Sequence, residues 1–226
     1  MCAYPIQCLI IAAALLAPSA MAFAADEDRQ VWSSVNASTN LGSRGVLSLE
    51  GQVRLTDDAS RFGQFVLRPS IGFKLNPNTT LSLGYAYGHS DPIGPSQINE
   101  HRIWQQMSYP LISTTEGVTV TGRSRLEQRW IEGASDMGWR YRQQLRLTAP
   151  LSNGVRAVAW SELFLSLDDT RWGQNSGLDR WRNALGISVP IHRAITIEPS
   201  YIHQRISRPG QDRVNRIGNL TMTATF

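Results

Sequence analysis

Four histidines, His89, His101, His192 and His203, are the imidazoles available for general acid–base work. A nucleophilic hydrolase needs a serine or cysteine within hydrogen-bond reach of such a base. His89 and Ser90 are adjacent in sequence, and neighbouring side chains of an extended chain point to opposite faces. His203 and Ser207 share a face, but four residues of strand separate them by about 13 Å. Neither H-x-S nor G-x-S-x-G occurs, and no H-E-x-x-H, phosphate-binding loop or dinucleotide motif is present. No catalytic residue, metal ligand or cofactor is therefore assigned. Asp57-Asp58 and Asp168-Asp169 read as solvated loop acids in preference to a cation site. Both cysteines, Cys2 and Cys8, lie in the first 25 residues, so the rest of the chain holds no thiol for a disulfide, a zinc site or a nucleophile.

The chemistry that the sequence does repeat is arginine against glutamate. Lys74 is the one lysine among 22 basic residues. Arg54, Arg68, Arg102, Arg123, Arg125, Arg129, Arg140, Arg142, Arg146, Arg180 and Arg182 recur at even spacings, with Glu50, Glu127, Glu162 and Glu198 in the same rows. A planar guanidinium binds carboxylates in two-pronged fashion and suits paired, partly buried charge. Nucleic-acid surfaces usually mix lysine with arginine in one patch, so a nucleic-acid partner is not expected.

The elements that must position these rows are strands. Residues 1–25 carry no charge and place an apolar run of about ten residues, Cys8 to Ala17, before Ala22-Phe23-Ala24; this is the pattern of a cleaved export signal. From residue 26 onward the sequence reads as one domain of period-2 alternation. Residues 46–56 set Leu47, Leu49, Val53 and Leu55 against Ser48, Glu50, Gln52 and Arg54. Residues 139–149 set Trp139, Tyr141, Leu145 and Leu147 against Arg140, Arg142, Gln144 and Arg146. Similar segments cover 64–75, 81–88, 99–111, 118–130, 155–167, 179–190, 194–206 and 213–226, and the weakest covers 30–41. Gly-, Pro-, Asn- and Asp-rich breaks separate them, and short turns alternate with longer polar loops. That alternation of connections is a transmembrane-barrel pattern.

Charge placement decides which face meets which solvent. Every charge named above falls on one face, and the opposite face is apolar. A charged side chain at the bilayer midplane costs about 2–4 kcal/mol on such barrels, so a dozen facing lipid would not be tolerated. The expectation is an all-β, closed, antiparallel up-and-down transmembrane barrel of 10–12 strands in the bacterial outer membrane. Residues 26–41 form a plug or an extra strand, because the segments number eleven whereas bacterial single-chain barrels have even numbers. Pro69 and Pro199 interrupt strands and are expected to mark bulges. Aromatics gather at strand ends, with Trp130 and Trp139 flanking one loop and Trp172 and Trp181 another, as in an interfacial belt. Arg205 and Arg216 sit on the apolar face beside the 207–212 loop, where long side chains snorkel to the rim; they are candidate contacts for lipopolysaccharide phosphates.

The final strand alternates Gly218, Leu220, Met222, Ala224 and Phe226 with polar residues and resembles the aromatic-ended last strand of outer-membrane barrels, which the barrel-assembly machinery reads. The chain also resembles a family of small Gram-negative outer-membrane barrels whose domain has no assigned function. The residues carrying that resemblance are Val31-Trp32, Leu47 to Arg54, Leu83-Gly84-Tyr85 and Glu100 to Gln106. It implies a barrel, outer-membrane lipid as surroundings, and no known reaction. The activity stays open between a structural barrel and a narrow anion-preferring channel. A lipid-modifying enzyme of the lipid A deacylase kind, or a soluble lipocalin-like barrel with its apolar face inward, is the alternative.

Overall fold

The computed structural model describes residues 26–94 and 97–226. The export-signal expectation for 1–25 lies outside the described residues. Eleven strands make up the fold: β1 (Asp26–Leu41), β2 (Gly45–Thr56), β3 (Arg61–Asn76), β4 (Thr79–Ser90), β5 (Ile98–Ser113), β6 (Thr119–Ile131), β7 (Met137–Pro150), β8 (Arg156–Ser166), β9 (Gly177–His192), β10 (Ile195–Ile206) and β11 (Arg213–Thr225). Each strand pairs with its chain neighbours, and β1 meets β11 to close the barrel. Residues 26–41 are thus wall, hydrogen-bonded to β2 on one side and β11 on the other.

The expectation of antiparallel pairing throughout is corrected at that closure. β1 and β11 are parallel, in register from Asp26↔Arg213 to Ser38↔Thr225. Up-and-down winding reverses direction at each turn, so the first and last strands of an odd-numbered barrel must run the same way. The alternative, ten strands with β1 left aside, would remove the partner that now covers both β2 and β11, whose backbone groups have to be satisfied. The seam continues to the C-terminus, where the Phe226 N–H donates to Ser38 O at 2.9 Å.

The short turns, 42–44, 77–78, 114–118, 151–155 and 193–194, gather at one mouth. The loops 57–60, 132–136, 167–176 and 207–212 gather at the other, together with residues 91–94 that leave β4. Neither Pro69 nor Pro199 marks a bulge, which corrects that expectation. The β3–β4 register is the same before and after Pro69, and β9–β10 likewise resumes unchanged past Pro199. Both rings face outward and simply omit ladder bonds. Register shifts occur instead near strand ends, at Arg54/Leu55, Lys74/Asn76, Pro110/Ile112, Phe164/Leu165 and Ile195/Thr196. Outside, Leu47, Leu49, Ile71, Leu83, Leu185 and Leu220 are all exposed. Inside, the most buried side chains mix charge with apolar bulk: Glu127, Phe164, Gln204, Ile217 and Val66.

Candidate functional site

The interior row begins with two acids that several arginines share. Glu127 on β6 accepts from Arg140 Nη2 at 2.5 Å and from Arg142 Nη1 at 2.7 Å, both on neighbouring β7. Glu162 on β8 accepts from Arg142 Nη2 at 2.7 Å and from Arg123 Nη2 at 2.8 Å. Arg142 therefore bridges the two carboxylates across three strands. Strand alternation presents one charge from each strand at successive levels, and lateral pairing brings rows such as Arg125, Arg142 and Phe164 side by side. Glu127 is 1% exposed and Glu162 is 2% exposed. Desolvation of such pairs roughly cancels their attraction, so this network replaces an apolar core without adding large net stability.

Toward the long-loop mouth the same rows continue. Glu100 pairs with Arg102 and accepts from Arg129 Nε at 2.6 Å. Glu50 pairs with Arg68. Asp179 lies 3.0 Å from Arg180 and 3.3 Å from Arg140. Below the waist, Arg146 pairs with Glu198 near the short-turn mouth. All fifteen interior residues singled out from the sequence face inward, and the structure brings most of them together. Arg54 and Arg182 are the exceptions to pairing. Arg54 donates to the amide oxygens of Gln52 and Gln64, and Arg182 donates to that of Gln204 at 2.6 Å. Neither has a carboxylate partner among the described residues.

Aromatic rings support the guanidinium groups from inside. Arg54 lies 3.9 Å over the Trp32 ring, Arg125 lies 4.1 Å over Trp104, and Arg142 and Arg182 lie 4.3 and 4.6 Å from Phe164. Desolvated contacts of this type are worth about 2 kcal/mol each. Sequence reasoning missed Trp32, Trp104 and Phe164 as interior groups, although Trp104 and Phe164 share the parity of their strands' charges; β1 carries charges on both parities, so Trp32 had no such guide. It also missed Asp179, the residue of β9 left without a strand partner at the Phe164/Leu165 register shift, where alternation stops predicting direction.

The upper half of the interior opens as a cup of about 310 Å³. Eight arginines line it, namely Arg54, Arg68, Arg102, Arg129, Arg140, Arg142, Arg180 and Arg182, with Glu100 as the one acid of the lining. Part of its wall comes from the 167–176 loop. Trp172 turns into the mouth under Arg129, 5.0 Å from its ring, which corrects its assignment to an outward belt. Gln174 is buried there, accepting from Arg129 Nη1 at 2.8 Å and donating to Asp168 Oδ1 at 2.6 Å. Asp136 of the neighbouring loop accepts the Arg171 N–H at 2.9 Å, while its carbonyl accepts from Trp172 Nε1 at 3.1 Å. The Arg171 N–H foremost, then the Ser135 hydroxyl and the Arg171 charge, hold the Asp136 carboxyl below its usual range.

On the outer surface, Arg205 and Arg216 are exposed near the long-loop mouth. Each has an acid partner, Asp212 at 2.5 Å and Glu27 at 2.9 Å. Arg29 stands level with Arg216 across the seam and enlarges this rim group; the sequence reading began that strand one residue too late to include it. His89 bonds Asn99 while Ser90 accepts from Gln64, on opposite faces of β4, so this pair is not a nucleophile and its base.

The match of a family model described as a protein of unknown function, DUF2490, runs from residue 29 to 215 and spans most of the chain. The chain belongs to the DUF2490 family. This DUF2490 protein is 36% identical over 200 residues to an uncharacterized protein of Methylorubrum extorquens, covering 87% of each chain. Among solved structures it is similar to the translocator domain of the autotransporter NalP from Neisseria meningitidis. That likeness has a TM-score of 0.47 at 15% identity, over 76% of this chain and 71% of the other.

Proposed function

We propose that this DUF2490 protein is an outer-membrane barrel with lipid against its apolar face, a filled waist, and a cationic cup at its cell-surface mouth. The observation that carries the reading is the sorting of side chains between the two faces of one closed sheet. Leu83 and Leu185, 52% and 49% exposed, look outward at mid-strand, while Glu127 and Arg140 are buried within. A soluble barrel would invert this, because water outside and apolar groups inside is the lower-energy arrangement. The packed interior favours a structural or binding barrel over a freely conducting pore, since Glu127, Phe164, Gln204 and Ile217 lie inside with almost no accessible surface.

The narrow anion-preferring channel is the second reading. What favours it is the excess of guanidinium over carboxylate inside, since arginine rings select anions. Cell fractionation with heat-modifiable gel mobility tests the address and architecture together. The expected result is recovery in the outer-membrane fraction and a mobility shift on boiling. Recovery in the detergent-free periplasmic extract would overturn the membrane reading. Planar-bilayer recording tests the waist. Silence supports the filled interior, and anion-preferring steps replace it with the channel. Contact of Arg205 and Arg216 with lipopolysaccharide phosphates, and reading of the Phe226-ended strand by the assembly machinery, belong to the same proposal.

A further inference from the structure

The cup and waist hold more positive charge than their own acids balance. Ten arginines, the eight of the cup lining together with Arg123 and Arg125, stand beside five acids, Glu50, Glu100, Glu127, Glu162 and Asp179, and eight of the ten lie within salt-bridge distance of one. Uncompensated charge in a low-dielectric interior is costly and attracts a counter-charge. The surplus is localised. Arg54 and Arg182 have only amide acceptors, and both flank the Trp32 ring, at 3.9 and 5.0 Å. A second observation points the same way. Arg68 and Arg102, each 7% exposed, line the cup, and their buried Nε atoms have no hydrogen-bond partner among the described residues. Buried donors are nearly always paired, so two orphaned guanidinium nitrogens in the residues of one cavity wall mark a lining short of acceptors.

We infer that the cup is a binding site for a small multivalent oxyanion, a molecule bearing two or more phosphate or carboxylate groups. Guanidinium forks match the bidentate geometry of both groups and bind them with shorter, stronger hydrogen bonds than neutral donors do. The volume of about 310 Å³ sits at the small end of ligand pockets, which suits a metabolite-sized anion and excludes a polymer. Arg54 and Arg182 supply charge that has no carboxylate partner among the described residues, Arg68 and Arg102 add further guanidinium groups to the lining, and the Trp172 loop forms the wall that a ligand meets on entry.

This inference rests on the inward orientation of the arginines and on the cup facing the long-loop mouth, but binding itself needs no bilayer. The test is isothermal calorimetry on the full-length barrel in zwitterionic detergent, with inorganic pyrophosphate and citrate as separate titrants and chloride as the monovalent control. Saturable binding of either titrant over chloride is expected, weakening as ionic strength rises. The two arms tell a phosphate ligand from a carboxylate one. Arg54→Gln and Arg182→Gln remove charge that makes no ion pair, so both variants should keep heat-modifiable mobility and lose at least tenfold in affinity. Lys74→Gln, at the opposite mouth, should bind as the native chain does. No binding of either titrant to the native barrel would overturn the inference, as would folded Arg54→Gln and Arg182→Gln variants with unchanged affinity. A protein recovered without detergent but still binding through Arg54 would sink the membrane reading and leave this one standing.

Discussion

The indole of Trp104 lies flat across Gly84 on the neighbouring strand, so that a Cβ added to this glycine would stand 2.2 Å from the ring. The missing side chain is what lets Trp104 lie down inside the barrel and carry Arg125 above it. Gly84→Ala should push the ring upright, unseat Arg125 and destabilise the barrel by about 1–3 kcal/mol, the usual cost of overpacking. The check is the urea midpoint of the detergent-folded protein, followed through tryptophan fluorescence. A midpoint equal to the native value would show that the ring has room to move.

Glu127 is the acid on which Arg140 and Arg142 converge. Glu127→Gln keeps the shape but leaves two buried guanidinium groups short of a counter-charge. Removing one partner of a buried pair costs about 3–5 kcal/mol, far more than the intact pair contributes. The same change at Glu198, nearer the mouth, should cost much less, because its partner Arg146 is 30% exposed on its side chain. Equilibrium unfolding of both variants in one detergent measures the contrast.

Leu185 faces outward at the middle of β9. If hydrocarbon lies against it, Leu185→Arg should cost about 2–4 kcal/mol. Folding yields into phosphatidylcholine vesicles should fall accordingly. An arginine tolerated there without loss would place that face in water.

Asp136 fastens the 167–176 loop over the cup through the Arg171 N–H. Its carboxyl is held below the usual aspartate range by that N–H first and then by the Ser135 hydroxyl and the Arg171 charge. A depressed pKa means that the clasp contributes fully above the ordinary aspartate value and is lost as pH falls through the lowered one. Protease cutting within 167–176 should therefore be constant around neutrality and rise only in acid. Asp136→Asn should show the raised cutting at neutral pH.

Arg205 and Arg216 already hold Asp212 and Glu27, so a lipid phosphate has to compete with or share those acids. Replacing both arginines with Gln should lower the amount of phosphorylated lipid that copurifies, as measured by phosphate assay on the detergent-extracted barrel. Equal phosphate in the two preparations would remove the lipid contact from the proposal.

Much of this architecture was legible because alternation is a direct record of sidedness. The eleven segments read from the sequence fall within four residues of the strand ends, and each arginine row sits on the inner face that parity assigned. Parity says nothing about strand direction, so the parallel closure of β1 on β11 had no signal in any one strand. It also fails at a register shift, which hid Asp179, and within loops, which hid the inward turn of Trp172. Trp32, Trp104 and Phe164 were passed over for a different reason. Composition marks aromatics as outward groups in a lipid-facing wall, yet on these strands they are the surfaces that arginines need.

The parallel seam also separates the ends of the described chain. Asp26 lies at the loop-bearing mouth with Arg213, whereas Phe226 lies at the turn-bearing mouth beside Ser38. A strand of thirteen residues lies between those two levels, about 43 Å at the usual rise. Most domains bring their termini close together and can be circularly permuted through a short linker. Here a linker joining Asp26 to Phe226 would have to thread the occupied lumen or cross the full height of the wall. Reporters inserted beside Asp26 and beside Phe226 would instead emerge at opposite mouths.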